Sequence, residues 1–264
     1  MVLAVGTQFL SIPRDPVELV HGYNPAFVNR YTKPEITLSY GDWLADMTVS
    51  SIDYNRSILS GWGGLSFRYV ALNDLELRTD RPTDNPLAYY NSSSFAIDGK
   101  YSTQFGIGKI STALRFISVQ LYNEESNGFA ADLSFQKKIN DRFNIGLALL
   151  NIGIMSELYQ EQPKLPVRTV LGTTYEYSAG QLNNTFSAVL ESSSLVEGFI
   201  VRVSHISALD KIRFQIGSQF SEKNVSVSGG ISLHLGNVQF GYGVQIGSQA
   251  LGIPQYLNLA VILP

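Results

Sequence analysis

The stretch Val225-Ser-Val-Ser-Gly-Gly-Ile-Ser-Leu-His-Leu235 decides the fold class, because apolar and polar side chains alternate along it. Its odd positions are mainly valine, isoleucine and leucine, and its even positions are mainly serine, with His234 near the end. The next stretch, Val238–Ile246, keeps the same rule, with Gly and Gln between the apolar residues. A period of two predicts β-strands with two unlike faces. The two stretches together therefore predict an antiparallel hairpin that turns at Gly236.

Working outward from this hairpin, the same alternation, broken by turn residues, predicts about fourteen strands. The predicted strands cover residues 34–42, 45–54, 62–73, 94–104, 107–121, 127–138, 142–153, 166–178, 183–191, 197–206, 211–220, 224–235, 237–248 and 255–263. In two of them the apolar set changes parity, around Ser50-Ser51 and Phe116-Ile117, which predicts a β-bulge at each place. Helix signals are nearly absent, and Pro16–Gly22 predicts at most a turn or two.

The connections between these strands differ in length according to the side of the sheet. Long connections follow the third, seventh and thirteenth strands, at Asp74–Ser93, Ile154–Leu165 and Gln249–Pro254. Tight turns follow the fourth, sixth, eighth and twelfth strands, although the first and eleventh connections, on the long side, are also short. Long loops at one end and short turns at the other are typical of outer-membrane β-barrels. An even strand count also places both chain ends on the short-turn side.

Composition supports a barrel in a membrane. Charged residues make up 16% of the 264 residues, whereas soluble domains have roughly 25%. No apolar run approaches the ~20 residues of a membrane-spanning helix. The polar strand face carries small residues and scattered charges of both signs, which suits a wet barrel interior. We therefore expect the following side chains to face the lumen: Arg68, Asp132, Arg168, Arg202, Arg213 and His234.

Tyrosine and tryptophan concentrate near the ends of the predicted strands, where interfacial girdles of membrane barrels place such rings. These residues are Tyr40, Trp43, Tyr54, Trp62, Tyr101, Tyr122, Tyr175, Tyr177, Tyr242 and Tyr256. A large soluble β-sandwich has the same alternation and stays open as an alternative. Its solvent face, however, would normally be rich in Lys and Glu, which the polar face here is not.

The sequence offers no catalytic or metal-binding pattern. It has no Cys, and its three His, at positions 21, 205 and 234, have no metal-ligand spacing. No Ser-His-Asp arrangement stands out, and neither Gly106-Ile-Gly108 nor Gly229-Gly230 has the strand-to-helix context of a phosphate loop. We therefore predict a non-enzyme with no cofactor and no metal. A net charge of -3 without a basic cluster predicts no nucleic-acid binding.

About 32 residues precede the first predicted strand, and several of them are apolar without strand alternation. We therefore divide the chain into an N-terminal segment, residues 1–32, and a barrel, residues 33–264. Asn24-Pro25-Ala26 predicts a turn in the segment, because Pro fixes φ and restricts the residue before it. We expect the segment to enter the periplasmic end of the barrel and plug it. Met1–Leu10 is apolar but lacks the basic start and cleavage site of a signal peptide.

Several motifs, taken in order, resemble a known family. They are Thr7-Gln-Phe-Leu-Ser-Ile-Pro-Arg14, Asn24-Pro25-Ala26, Ile36-Thr-Leu-Ser-Tyr-Gly-Asp-Trp-Leu-Ala-Asp-Met47, Gly128–Leu133, Ile145–Gly153 and Leu165–Gly172. This ordered set resembles PorV/PorQ-type outer-membrane barrels of the type IX secretion system, slightly closer to PorQ. The resemblance implies a fourteen-stranded relative of the FadL-like fatty-acid transport barrels in the bacterial outer membrane. The chain lacks the terminal aromatic residue that such barrels usually carry, since it ends Val261-Ile-Leu-Pro264.

The resemblance implies a non-enzymatic component of type IX secretion or cell-surface attachment that docks a partner or exported cargo through its outer loops. The residues that we expect to anchor such a partner are Tyr89, Tyr90 and Tyr159. Outer-membrane lipid and other secretion proteins are then the expected partners. One alternative is a FadL-like outer-membrane transporter of hydrophobic small molecules. A second alternative is a soluble β-sandwich that binds a ligand.

Overall fold

The computed structural model describes residues 6–27, 33–78, 84–248 and 251–264, and these residues form one closed antiparallel barrel. Its fourteen strands are β1 (Glu35–Asp42), β2 (Thr48–Ile58), β3 (Gly61–Leu77), β4 (Ala88–Phe105), β5 (Gly108–Leu121), β6 (Glu124–Lys138), β7 (Phe143–Met155), β8 (Arg168–Ala179), β9 (Leu182–Ser193), β10 (Val196–Leu209), β11 (Ile212–Phe220), β12 (Val225–Leu235), β13 (Val238–Gly247) and β14 (Gln255–Ile262). The predicted fold class and strand number are confirmed.

Closure comes from the pairing of the first and last strands, from Glu35 with Ile262 to Asp42 with Gln255. Every other strand pairs with its neighbours in the sequence. A closed barrel leaves no open strand edge, which a lipid environment requires because unpaired backbone groups there cost several kcal/mol each. Within the described residues, no helix is long and apolar enough to cross a membrane.

The barrel has a short-turn end and a loop end. The short-turn end carries the two chain ends of the barrel and the connections 59–60, 106–107, 139–142, 180–181, 210–211 and 236–237. The loop end carries the connections 43–47, 78–87, 122–123, 156–167, 194–195, 221–224 and 248–254. Only the connections after β3, β7 and β13 are long, so the predicted division by length holds for the long loops but not for every outer turn.

The two faces of the wall differ as the alternation predicts. Leu65, Leu114 and Ile216 face outward and are 63–70% exposed. The inward positions carry glycine, serine and charged residues, and most of these serine and charged side chains are buried. The apolar outer face is the one that an outer-membrane barrel presents to lipid.

The two predicted bulges are wrong. The register is continuous through Ser50-Ser51 and through Phe116-Ile117. The apolar set changes parity there because Val49 and Ile117 point inward, into an apolar part of the lumen. The register shifts lie elsewhere, between Leu72 and Leu75, between Ala131 and Leu133, and between Val196 and Phe199.

The predicted loop Asp74–Ser93 is largely strand. β3 runs to Leu77 and β4 starts at Ala88, so this hairpin extends beyond β2, whose last partner on β3 is Ala71. Tyr89 and Tyr90 accordingly belong to β4 rather than to a loop. The alternation fails to mark this extension because the register shift between Leu72 and Leu75 interrupts its phase and because Tyr89-Tyr-Asn-Ser92 does not alternate.

Two of the strand aromatics predicted for the interfacial girdle face the lumen instead, and a third girdle candidate, Trp43, packs edge-on against one of them, Tyr256. Tyr256 is 1% exposed and packs in the interior of the barrel. Trp62 lines an internal chamber. In β14, apolar side chains stand at odd positions (Leu257, Leu259, Val261) and also at even positions (Tyr256, Ile262). The sequence pattern therefore does not show which face of β14 is turned to the lumen.

Candidate functional site: the lumen and its N-terminal segment

Residues 6–27 run through the lumen from the loop end to the short-turn end. A 3-10 turn, Thr7–Ser11, lies at the loop end, where the Thr7 hydroxyl donates to the Lys164 carbonyl of the β7–β8 loop. The short helix α1, Pro16–His21, packs against β10 to β14. The motif Asn24–Ala26 follows, near the short-turn end. The segment therefore extends from the loop end into the short-turn half of the barrel.

Local sequence signals fix α1. Asp15 is its N-cap, and the Asp15 carboxylate accepts a hydrogen bond from the Glu18 amide at 2.8 Å. Pro16 occupies the first helical position, where its missing N–H costs nothing. Gly22 ends the helix with φ of 67°, a conformation that favours glycine.

The loop half of the lumen is apolar. Phe9, Leu10 and Ile12 of the segment are 1–7% exposed and pack in one cluster with inward side chains of the wall. The wall side chains of this cluster are Met47, Val49, Val70, Ala96, Ile117, Val119, Ala130, Met155, Leu165 and Tyr256. Burial of a side chain the size of Phe contributes about 1.5–3 kcal/mol. The segment thus closes the loop end with apolar contacts.

A layer of buried charges lies below this cluster, and most of its members are paired. Arg115 contacts Asp98 and, at 2.9 Å, Asp132. Arg168 donates two hydrogen bonds to Glu191, at 2.6 and 2.9 Å, and Arg202 donates one at 2.6 Å. Such pairs in a water-poor interior are costly to break, because removing one partner leaves an uncompensated charge.

The β7–β8 loop is tied to this charge layer. Asn151, at the register shift in β7, donates to the Pro166 carbonyl at 2.9 Å and accepts from Arg115. The segment meets the same layer, because the Arg14 guanidinium lies 4.0 Å from Asp98. The loop and the segment therefore share one network of buried polar side chains.

In the short-turn half, the segment backbone lies directly on wall glycines. A Cβ added at Gly172 would lie 1.9 Å from the Asn24 side-chain oxygen, and one at Gly146 would lie 2.4 Å from the Pro25 carbonyl carbon. At Gly217 the corresponding distance to the Val20 carbonyl oxygen is 2.3 Å. Any larger residue at these positions would collide with the segment. The inward glycines therefore form a track that the segment occupies.

The predicted turn motif holds the segment to this track through Asn24. Its amide nitrogen donates to the Ser187 hydroxyl at 2.7 Å and to the Thr173 carbonyl at 3.2 Å. Its amide oxygen accepts from the backbone N–H of Ala26 at 2.8 Å, which makes an Asx turn. Gln136 donates to the Ala26 carbonyl at 2.7 Å. The motif is therefore a point of attachment as well as a turn.

His21 is a second point of attachment. It is 1% exposed, and its ring nitrogens lie 2.6 Å from the Ser204 hydroxyl and 2.9 Å from the Gln215 side-chain oxygen. Because that oxygen only accepts, Nε2 is the donor, and in a neutral ring Nδ1 is then left to accept from Ser204. This arrangement is that of a neutral imidazole in a structural role.

A chamber of about 350 Å³ remains between the segment and the wall formed by β1 to β6. Its lining is mixed, with apolar residues such as Trp62 beside Lys109 and the pair of Asp53 and Lys100, which lie 2.9 Å apart. The segment contributes Arg14, Glu18 and Tyr23. The short-turn half of the lumen is thus only partly filled, unlike the loop half.

The structure places the candidate residues from the sequence as follows. Arg68, Asp132, Arg168, Arg202, Arg213 and His234 all lie on the inner face, and the first four take part in the contacts of the lumen. Tyr89 and Tyr159, at the loop end, are 61% and 74% exposed, whereas Tyr90 packs edge-on against Tyr122. The glycine track carried no sequence signal beyond a high glycine content in the strands.

The fold is similar to that of several outer-membrane barrels of known structure. The monoaromatic hydrocarbon channel CymD aligns with a TM-score of 0.66 and 11% identity over 96% of this chain and 98% of its own. The toluene transporter TodX of Pseudomonas putida aligns with a TM-score of 0.59 and 9% identity over 99% of this chain and 96% of its own. The outer membrane protein Omp33 of Acinetobacter baumannii aligns with a TM-score of 0.54 and 9% identity, over 88% of this chain and 98% of its own.

At these identities the likeness shows the fold alone, an outer-membrane β-barrel. No protein-family model matches the chain, and no curated protein matches its sequence. The resemblance to PorV/PorQ barrels stays a prediction.

Proposed function

We propose that the chain is an outer-membrane channel for small hydrophobic molecules, closed at its loop end by the N-terminal segment. The observation that carries the proposal is the apolar cluster inside the loop half of the lumen. Once Phe9, Leu10 and Ile12 withdraw, the inward Val, Ile and Met side chains offer a hydrophobic solute a binding surface. The barrels of similar fold include a toluene transporter and a hydrocarbon channel, which supports this reading at the level of fold.

The proposal is tested by locking the segment in place. A Cβ at Gly243 would lie 3.1 Å from the Pro16 Cβ, close to the ~3.8 Å of a disulfide. The chain has no other Cys, so Pro16→Cys with Gly243→Cys forms a single lock. We expect cells that produce the unlocked chain to take up labelled toluene faster than cells without it. Oxidation of the double variant should abolish the gain, and reduction should restore it.

The controls separate transport from gating. Each single Cys variant should take up toluene at the same rate under oxidising and reducing conditions, because it cannot form the lock. Uptake no faster than in cells without the chain contradicts the transport proposal. Equal uptake by the oxidised and reduced double variant, with transport present, contradicts release of the whole segment as the step that opens the channel.

A second candidate function is docking of a partner or exported cargo in type IX secretion, and one observation favours it. Tyr89 and Tyr159 are large, exposed and on the loop end, together with Leu87 at 62% exposure. Exposed aromatic side chains are common interface anchors. Replacing Tyr89 and Tyr159 by Ser should then reduce co-purification of secretion proteins from outer membranes. An unchanged set of co-purified proteins speaks against docking through these residues.

A further inference from the structure

Arg68 differs from the other buried arginines of the lumen wall. Arg115 and Arg168 are each 4% exposed and pair with carboxylates. Arg68 is 3% exposed, yet no carboxylate of the described residues lies within ion-pair distance of it. A buried cation without a counter-charge is strongly destabilising, so its environment must supply another source of negative charge.

The contacts of Arg68 supply only part of that charge. One guanidinium nitrogen donates to the Ile12 carbonyl and lies 3.5 Å from the Pro13 carbonyl, and the group stands 5.8 Å from the centre of the Phe9 ring. Its Nε has no acceptor among the described residues. A guanidinium has five donors and no acceptor. Two carbonyl oxygens with partial charge therefore leave it under-coordinated.

Two further buried groups without a partner lie on neighbouring strands. The Ser39 and Tyr256 hydroxyls are buried and have no hydrogen-bond partner among the described residues. Ser39 pairs with Ser51, which pairs with Arg68, so Ser39 and Arg68 are two strand spacings, about 10 Å, apart along the wall. Tyr256, on the adjoining β14, lies in the same apolar cluster as Phe9, whose ring faces the Arg68 guanidinium. Three groups that can donate thus share one patch of wall without an acceptor.

We propose that Arg68, Ser39 and Tyr256 form a binding site for one small, singly charged anion at the boundary between the segment and the wall. An anion only accepts, so it satisfies a guanidinium and two hydroxyls at once. Two charges of the segment also act on Arg68, and the positive charge of Arg14 acts more strongly than the negative charge of its partner Glu18. In the closed barrel the Ile12 and Pro13 carbonyls already face Arg68. The anion and the segment backbone therefore bind side by side to the same guanidinium.

The chemistry fits two sources, a free halide and the carboxylate of a solute. Crystals of the whole chain grown in bromide test the first source, and crystals soaked in 4-bromobenzoate test the second. A bromide anomalous peak within hydrogen-bond distance of the Arg68 guanidinium supports the free ion. A carboxylate on Arg68, with its bromine in the apolar cluster, supports the solute. Uncharged water at Arg68 under both conditions overturns the proposal.

Two variants make the crystal result specific. Arg68→Gln should remove the anion density, and Arg213→Gln, which removes a lumenal arginine of β11, should leave it in place. Retained density in Arg68→Gln overturns the assignment of Arg68.

A measurement on the unmodified chain in detergent is independent of both variants. Hydrogen exchange of residues 6–13 is compared in chloride and in gluconate at equal ionic strength. An anion bridge between wall and segment predicts slower exchange in chloride, at least threefold, because gluconate carries a polyhydroxyl chain that does not fit beside the apolar cluster. Faster exchange in chloride overturns the shared site, because an anion that displaces the segment carbonyls is not their neighbour on Arg68. Equal exchange in the two salts overturns it.

Discussion

In the loop half of the lumen, segment side chains insert among those of the wall, whereas in the short-turn half the segment backbone lies against wall glycines. Phe9, Leu10 and Ile12 make the first kind of contact. The backbone at Val20 and Pro25 makes the second, on Gly217 and Gly146, and the Asn24 side chain lies on Gly172 in the same row of glycines. Side-chain insertion excludes water and closes the loop end. Backbone contact holds the segment to one side and leaves the chamber open on the other.

This difference shows how one segment both closes a barrel and leaves part of it solvated. It also raises the question of whether the two halves release together or separately. Local opening of a protein proceeds in cooperative units. Variants that alter only one half can be compared by hydrogen exchange along residues 6–27. This comparison decides whether each half opens as a separate cooperative unit.

The largest effect is expected in the charge layer that separates the halves. Glu191→Gln leaves Arg168 and Arg202 without their carboxylate, and we expect a loss of about 3–5 kcal/mol in the free energy of unfolding. Glu197→Gln is the matched control, because Glu197 and Lys223 form an ion pair that is 81% and 77% exposed. Its loss should be at most ~1 kcal/mol. If chemical denaturation showed the same loss of unfolding free energy for Glu191→Gln and Glu197→Gln, the buried charge layer would not be a structural boundary.

The next effect tests the loop half alone. Phe9→Ala removes the ring at the centre of the apolar cluster, and we expect residues 6–13 to be destabilised by about 3 kcal/mol. Hydrogen exchange should accelerate there and stay unchanged from Asp15 to Ala26. Ile107→Ala, in an exposed turn where Ile107 is 73% exposed, is the control. Acceleration along the whole segment would show that both halves open as one unit.

The third effect tests the short-turn half. Gly172→Ala places a methyl group 1.9 Å from the Asn24 side chain, and we expect about 1–3 kcal/mol of local destabilisation. Exchange should accelerate around Asn24–Ala26 and not at Thr7–Ser11. Gly99→Ala is the control, because a Cβ there meets no atom within 4 Å. If Gly172→Ala changed the hydrogen exchange of Asn24–Ala26 no more than Gly99→Ala does, the glycine track would not hold the segment.

The wall was predictable from the sequence to a much greater degree than the lumen. Each strand has one face in lipid, and a uniform apolar medium selects apolar residues at every second position, as in Val225–Leu235. Inside the barrel no such uniform medium exists. Val49 faces Phe9 and Leu10, Asp98 faces Arg115, and Gly172 faces Asn24. The type of each inward residue depends on a contact partner that is distant in the sequence.

The same reason explains the two wrong bulges and the misplaced Tyr256. An inward valine, isoleucine or tyrosine breaks the alternation in sequence but fits an apolar part of the lumen without any change of register. The segment that makes this part of the lumen apolar precedes the strands and has no periodicity of its own. Its contacts could therefore not be inferred from local patterns.

The smallest effect is expected at the turn motif and gives the sharpest comparison between the halves. Asn24→Ala keeps the backbone on the glycine track but removes the hydrogen bonds to Ser187, Thr173 and Ala26, so we expect about 1 kcal/mol of local destabilisation. Asn123→Ala, in an exposed turn of the loop end, is the control. If Asn24→Ala and Gly172→Ala add when combined, the space at Gly172 and the hydrogen bonds of Asn24 hold the segment independently. If the double variant loses no more than Gly172→Ala alone, the methyl group has already displaced Asn24, and the glycine serves chiefly to admit that one side chain.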